Sequence, residues 1–162
     1  MTRFESIFID ETQKEGGIAK QTLANTSANQ TSSQASPQKQ GFSKLLDYRE
    51  GKKHLHISEK RGKILDLCAT MNRKYICCNV HVLKSVSNCP FDSSYCFLQN
   101  YLNNPSTTVI ADTAAIIREV KEKTSQQPER FFRIGTWELG DSLALEDLTG
   151  SSSDLVLAFS DI

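Results

Sequence analysis

The stretch NCPFDSSYCFLQNYLNNPSTTVIADTAAIIREVKEKT, residues 88–124, decides the predicted fold. It reads as a cysteine-containing loop, a short helix, a strand over TTVIA, and a second helix that Asp112 caps. The second helix carries an apolar stripe made by Ile116, Ile117 and Val120. Strands that alternate with helices are typical of a parallel sheet, so the stretch predicts an α/β protein.

The flanking sequence continues this alternation. YICCNVHVL, residues 75–83, predicts a buried strand before the loop, and RFFRIG, ending at Gly135, predicts another after the second helix. SDLVLAFSDI predicts a helix at the end of the sequence. Within the loop region, SSYCFLQNYL predicts a helix from the helical spacing of its apolar side chains, which are Tyr95, Leu98, Tyr101 and Leu102.

The first 78 residues predict different elements. FESIFI, residues 4–9, predicts a short strand, and residues 21–40 are so rich in Gln, Ser, Thr and Asn that they predict disorder. HLHIS and KILDL predict a hairpin whose charged turn ends at Gly62.

Length and composition suit one protein domain in aqueous solution. The sequence has 162 residues, a formal net charge of zero and 38% hydrophobic residues. No global basic field points to nucleic acid or an anionic membrane. Neither a signal peptide nor a membrane-spanning apolar run is recognisable, so we expect a cytoplasmic protein.

The chain has five cysteines and three histidines. An odd number of cysteines in a reducing compartment favours metal ligands or buried thiols over disulfides. We expect Cys68, Cys77 and Cys78 to be structural thiols. The histidines, His54, His56 and His81, have no convincing partner at metal-site spacing, which favours a location facing solvent.

Cys89, Ser93 and Cys96 have the spacing of a three-ligand loop, followed by an aromatic residue and a Leu-Gln pair. Together with RIGTWELGDSLALEDLTG at residues 133–150, YICCNVHVL before the loop and FESIFIDE near the start, this loop resembles the spore photoproduct lyase family. That family belongs to the radical S-adenosylmethionine superfamily and has CxxxCxxC in the equivalent loop. The resemblance covers most of the sequence outside the polar stretch, and about the first half of a full-length family member.

The resemblance implies the N-terminal half of a radical S-adenosylmethionine partial (β/α) barrel, preceded by a small α/β N-terminal segment. We predict an N-terminal strand segment (1–20), a disordered polar linker (21–41), an N-terminal hairpin region (42–78) and an incomplete barrel (79–162). The implied cofactors are a [4Fe–4S] cluster and S-adenosyl-L-methionine, and the implied partner is DNA, whose thymine-dimer lesions the family repairs with a 5′-deoxyadenosyl radical. The implied site residues are the metal-ligand positions Cys89, Cys96 and Ser93 (the position of the missing middle cysteine), and the cofactor-binding positions Tyr95, Gly135, Thr136 and Glu138.

Four departures from the family pattern lower the expected activity. The first is that the resemblance implies further strands and a substrate-facing C-terminal part after Ile162, where the given sequence ends. Ser93 offers a hydroxyl, which is harder to deprotonate than a thiol and is a harder donor for iron. Trp137 stands where the family usually has a glycine, and an indole there would fill cofactor space. Residues 133–150 contain no cysteine to serve as the family's hydrogen donor. We therefore predict that the chain alone is inactive.

Three alternatives remain at this point. The chain is a non-catalytic remnant or interaction fragment that needs a separately encoded C-terminal half, or it is a small metal-binding module built from Cys89, Cys96 and a histidine. Alternatively, Glu138 and Asp141 are simply acids placed at the beginning of a helix.

Overall fold

The computed structural model describes residues 4–26, 31–32, 48–59, 62–68, 80–136 and 138–160. The strands in this part of the chain are β1 (Ser6–Ile9), β2 (Thr31–Ser32), β3 (His54–Ser58), β4 (Leu65–Leu67), β5 (Val80–Leu83), β6 (Val86–Ser87), β7 (Thr107–Ile110) and β8 (Arg133–Gly135). The helices are α1 (Gly17–Asn25), α2 (Tyr48–Gly51), α3 (Leu98–Tyr101), α4 (Thr113–Ser125), α5 (Glu146–Thr149) and α6 (Ser151–Phe159). Short 3₁₀ turns span Glu11–Gln13 and Leu143–Leu145.

The first sheet has the strand order β2-β1-β3-β7-β6. Its first four strands run parallel, and β6 is antiparallel to β7 at the edge. Parallel strands are buried on both faces, which requires near-continuous apolar sequence. Ile7, Leu55, Ile57 and Val109 are accordingly almost inaccessible to solvent. The predicted α/β class is confirmed, as are the strands predicted within FESIFI and TTVIA.

The second sheet has the strand order β4-β5-β8, with β5 and β8 parallel and β4 antiparallel to β5. The helices α4 and α6 pack on this sheet. Ile116 and Val120 of α4 and Leu155 of α6 form one buried cluster with Leu65 and Leu83. This packing buries the apolar stripe that the sequence predicted.

The beginning of α4 also confirms its predicted cap. The side-chain Oδ1 of Asp112 accepts a hydrogen bond from the backbone N–H of Ala115 at 2.8 Å. A cap of this kind satisfies one of the donors that the first helical turn leaves without an intrahelical partner.

The predicted hairpin between HLHIS and KILDL is wrong. β3 lies between β1 and β7 in the first sheet, whereas β4 pairs with β5 in the second. In β3, Leu55 and Ile57 are buried, and so are the alternate polar residues His56 and Ser58. This pattern is typical of a central strand in a parallel sheet that is covered on both faces, and β3 has a parallel partner on each edge.

Two predicted boundaries also differ from the structure. The linker predicted from residue 21 overlaps α1, which continues to Asn25 because Ile18, Ala19 and Thr22 are buried. The helix predicted over SSYCFLQNYL is reduced to the single turn α3. Tyr95 and Tyr101 are 90% and 65% exposed, so their helical spacing does not mark a core face.

Several predictions concern residues outside the described part of the chain. They are the thiols Cys77 and Cys78, the indole of Trp137, and the linker except for residues 21–26 and 31–32. Among the described residues, no helix combines the length and the hydropathy needed to cross a bilayer.

Candidate functional site around the cysteine loop

The cysteine loop, residues 88–97, lies beside the segment that follows β8. The backbone N–H of Asn88 donates to the carbonyl of Leu139 at 2.7 Å, and Asn88 forms a parallel bridge with Gly140. Residues 138–140 follow β8 at the carboxyl edge of the second sheet, and the loop that lies beside them follows β6, the next strand along the chain after β5. In open α/β sheets this edge is the usual place for ligands.

The three ligand positions occupy the same loop. The main-chain carbonyl of Ser93 accepts hydrogen bonds from the Cys96 N–H at 3.0 Å and from Gln99 Nε2 at 2.9 Å. Cys89 is half-buried, and its Sγ lies 3.9 Å from the Phe91 carbonyl oxygen. Gln99, the glutamine of the Leu-Gln pair, therefore stabilises the turn that joins Ser93 to Cys96.

The described residues contain no group of three or more Cys, His, Asp or Glu side chains placed to hold a metal ion. The loop offers two thiols and one hydroxyl. This donor set does not fit a three-thiolate cluster, because a serine hydroxyl remains protonated under conditions in which cysteine ionises. The described geometry gives the Cys89–Cys96–histidine module no support either.

Helix α2 contacts the loop at several points that the sequence did not predict. Arg49 Nε lies 3.0 Å from Asp92 Oδ2, and the buried Lys52 ammonium donates to the Phe91 carbonyl. The same ammonium lies 4.9 Å from the ring centroid of Tyr48, within the range of a cation–π contact. The contacts of Arg49 and Lys52 with the loop join residues about 40 positions apart in sequence, and no local motif indicates them.

Tyr48 lies close enough to both cysteines for their charges to affect it. Burial raises the pKa of Tyr48 to about 12, and the thiolate charges of Cys96 and Cys89 act in the same direction. The hydrogen bond to Asn88 opposes this rise in the pKa. The Tyr48 hydroxyl is therefore a neutral hydrogen-bond donor beside the loop at physiological pH.

The predicted cofactor-binding positions fall on two segments. Gly135 ends β8 and is buried, and Thr136 follows it with its Oγ1 2.7 Å from Ser142 Oγ. Glu138 is half-buried in the segment that Asn88 contacts, whereas Tyr95 is exposed on the cysteine loop. The structure therefore places Gly135, Thr136 and Glu138 together at the carboxyl edge of the second sheet.

A charged pair lies near Glu138. Lys84 Nζ lies 2.8 Å from Asp66 Oδ2, and this hydrogen bond is the main cause that raises the pKa of Lys84. Burial opposes the rise, while the charges of Glu138 and Tyr101 add to it. Asp141 Oδ1 accepts hydrogen bonds from the backbone N–H groups of Leu143 and Ala144 at the beginning of a 3₁₀ turn.

The prediction that the histidines face solvent is wrong for His56 and His81, which are 2% and 4% exposed. His56 Nε2 lies 2.9 Å from Asp10 Oδ1, and the same carboxylate accepts from the Ser58 hydroxyl and the Glu59 N–H. Strand alternation does not give β3 a solvent face, because its sheet is covered on both sides.

Comparison with known proteins shows similarity in structure only. No protein-family model matches the sequence, and no curated protein matches it. Similar solved structures include a cysteine-to-alanine mutant of spore photoproduct lyase (TM-score 0.76, 14% identity, 96% of this chain and 46% of that one). A tyrosine-to-phenylalanine mutant of the same enzyme has a TM-score of 0.75 and 14% identity, over 98% of this chain and 47% of that one.

A third similar structure is a double mutant of spore photoproduct lyase with bound AdoMet and dinucleoside spore photoproduct. Its TM-score is 0.72 at 16% identity, over 98% of this chain and 47% of that one. The chain thus spans about half the length of these enzymes. At this identity the similarity establishes the fold, which is the mixed α/β fold of part of spore photoproduct lyase.

Proposed function

We propose that this chain is a spore photoproduct lyase-like radical S-adenosylmethionine protein that does not catalyse lesion repair by itself. The observation that carries the proposal is the position of the Cys89–Ser93–Cys96 loop. It follows β6 and lies beside residues 138–140, which follow the carboxyl end of β8, in a chain with the fold of part of that enzyme. The inherited activity is the repair of thymine-dimer lesions in DNA.

The donor groups of the loop support the proposed lack of catalytic activity. A [4Fe–4S] cluster in this superfamily is held by three thiolates, and this loop supplies only Cys89 and Cys96. Ser93 brings a hydroxyl to the middle position, so the natural sequence lacks the third thiolate.

The proposed ligands follow from the relatives and from the edge of the second sheet. Spore photoproduct lyase has been solved with AdoMet and with a dinucleoside lesion. In this chain we assign S-adenosyl-L-methionine to the segment with Gly135, Thr136 and Glu138, and to Tyr95 on the loop. Phe97 and Tyr101 are 71% and 65% exposed with ring centroids 6.3 Å apart, and such exposed rings suit stacking with the bases of DNA.

The test restores the missing donor. We expect the natural protein, reconstituted anaerobically with iron and sulfide, to bind clearly fewer than about four irons per chain, whereas Ser93→Cys binds about four. Ser94→Cys is the matched control, since it adds the same thiol one position away, and it should behave like the natural sequence. Cleavage of S-adenosylmethionine is measured in the same samples.

Two results would contradict the proposal. A full cluster with S-adenosylmethionine cleavage in the natural protein would show that Ser93 does not disable the loop. Failure of Ser93→Cys to bind more iron than Ser94→Cys would show that the loop is not a cluster-binding loop.

A second candidate is a non-catalytic interaction fragment that acts with a separately encoded C-terminal half. The observation in its favour is the exposure of large apolar side chains after β8, namely Leu143, Val156 and Leu157. Exposed apolar surface of this kind marks interaction sites when it is contiguous. Co-purification of a partner with the natural chain, and its loss in Val156→Ser/Leu157→Ser, would support this candidate.

A further inference from the structure

Asn88, the residue before Cys89, has an unusual backbone conformation. Its φ angle is +65°, in the left-handed region that side chains other than Asn, Asp and Gly rarely adopt. Asn88 is also 1% exposed, so this conformation is set within the protein interior. The left-handed turn directs the chain out of β6 and into the cysteine loop.

The side chain of Asn88 joins three separate parts of the fold. Its Oδ1 accepts hydrogen bonds from the Tyr48 hydroxyl at 2.6 Å and from the Cys89 N–H at 2.8 Å. Its Nδ2 donates to the Pro105 carbonyl at 2.7 Å. With its backbone N–H on Leu139, Asn88 connects the loop to α2, to the beginning of β7 and to the segment that follows β8.

The surroundings leave Asn88 little freedom. A Cβ on Gly140 would lie 2.6 Å from the Asn88 carbonyl oxygen, and a Cβ on Gly51 would lie 2.3 Å from Pro105 Cβ. Both glycines therefore allow backbone approaches that a larger residue would prevent. The approach at Gly140 holds Asn88 against the segment after β8, and the approach at Gly51 holds α2 against the residue that Asn88 Nδ2 contacts.

We infer that Asn88 is a positioning residue that fixes Cys89 relative to the segment containing Glu138, with Tyr48 holding its side-chain oxygen. This inference deepens the proposed function and rests on it, because it assigns Asn88 the orientation of one of the proposed ligand positions. Asn88 acts through Cys89 and does not itself supply a donor to the cofactor.

The first experiment measures how strongly Cys89 is held in the natural background. Asn88→Gly keeps access to positive φ and removes all hydrogen bonds of the Asn88 side chain. Tyr48→Phe removes only the hydrogen bond from the Tyr48 hydroxyl to Asn88 Oδ1. We expect Asn88→Gly to accelerate alkylation of Cys89 about two- to tenfold, the factor that corresponds to one ordinary hydrogen bond, and Tyr48→Phe to have a smaller effect. Alkylation of Cys89 and Cys96 is followed separately by peptide mass spectrometry.

The second experiment uses the Ser93→Cys background. It measures the iron bound per chain and the absorbance of the sulfide-to-iron charge-transfer band. We expect Asn88→Gly to lower the iron content of Ser93→Cys, and Tyr48→Phe to lower it less. Asn104→Ala is the matched control. Asn104 bonds Ser106 and Thr108 and has no described hydrogen bond to the loop, so its variant should leave both readouts unchanged.

The outcomes separate the two proposals. If Ser93→Cys takes up no extra iron, the proposed function fails while the alkylation experiment still tests the role of Asn88. If alkylation of Cys89 and iron content in the Ser93→Cys background are both unchanged in Asn88→Gly, the positioning role is wrong. An effect of equal size in Asn104→Ala would also overturn it, because a general loss of stability would then explain the result.

Discussion

Gly140→Ala tests the contact between the cysteine loop and the segment that follows β8. The added Cβ would lie 2.6 Å from the Asn88 carbonyl oxygen, and ordinary contact begins at 3.4 Å, so one of the two backbones must move by 0.8 Å (3.4 − 2.6). Overpacking of this kind costs about 1–3 kcal/mol. Loss of the hydrogen bond from Asn88 to Leu139 adds about 1 kcal/mol, so we expect the free energy of unfolding to fall by about 2–4 kcal/mol.

The assay is urea denaturation followed by far-ultraviolet circular dichroism. Gly17→Ala is the control, since no atom lies within 4 Å of the added Cβ and the residue begins α1. We expect this control to be neutral or more stable by up to about 1 kcal/mol, because alanine favours helix. A Gly140→Ala protein whose free energy of unfolding stays within about 0.5 kcal/mol of the natural value, the range of neutral surface changes, would refute the close packing of loop and segment.

Three further predictions concern titratable side chains. The carboxylate of Glu146 accepts hydrogen bonds from the N–H groups of Ser152 and Ser153 in the first turn of α6. Burial raises the pKa of Glu146, but the hydrogen bonds from the two serines outweigh burial and lower the pKa below the ordinary 4.5. We expect Glu146→Gln to lower the free energy of unfolding by about 1 kcal/mol at neutral pH, as for loss of a helix cap. The difference in urea midpoint between the natural protein and this variant should shrink as the pH falls below 4.5 through the folded-state pKa. His56→Phe leaves the buried Asp10 carboxylate without its imidazole partner and should cost about 3 kcal/mol or more, whereas Asp10→Asn should cost less because the amide can still hydrogen-bond to His56. A cost of His56→Phe below about 1 kcal/mol in urea denaturation would contradict the pairing. Because its pKa is raised to about 12, Tyr48 stabilises the fold below its ordinary pKa of 10 and loses this effect towards pH 12; a phenolate absorbance step near pH 12 should disappear in Tyr48→Phe.

The elements that the sequence predicted correctly depend on local signals. The cap of α4 requires only Asp112 and the residues directly after it, and the apolar stripe is visible in one helix. The strand β7 is bounded by Pro105 and by that cap, so its limits were also recognisable. These signals act over a few residues, and a single sequence contains all of them.

The sheet partners of β3 depend on contacts that are distant in sequence. HLHIS has the alternation of a half-buried strand, which favoured a hairpin with the next strand-like run. Its polar side chains His56 and Ser58 are nevertheless buried, because the carboxylate of Asp10, 46 residues before His56, accepts hydrogen bonds from both. A pattern of apolar and polar residues does not reveal that a polar residue has acquired a buried partner.

The candidate site shows the same division between local and distant signals. Spacing alone placed Cys89, Ser93 and Cys96 in one loop, but Tyr48 reaches Asn88 across 40 residues of sequence, and nothing local marks it. Asn88 itself is recognisable from its local sequence. An asparagine at the point where a strand meets a Cys-Pro loop is one of the few residues that tolerate positive φ.

The shape of the loop and its donor set are separable in this chain. The hydrogen bonds that form the turn at Ser93 use its main-chain carbonyl, so replacing the hydroxyl by a thiol leaves them in place. The contacts of Asn88 involve the other end of the loop, and at Cys89 they use the backbone N–H and not the thiol. Ser93→Cys therefore changes a donor group of the loop and keeps the hydrogen bonds that form its turn. Asn88→Gly removes hydrogen bonds that hold the loop and keeps its donor groups. If cluster binding requires both, the double variant must bind less iron than Ser93→Cys although it contains the same three thiols.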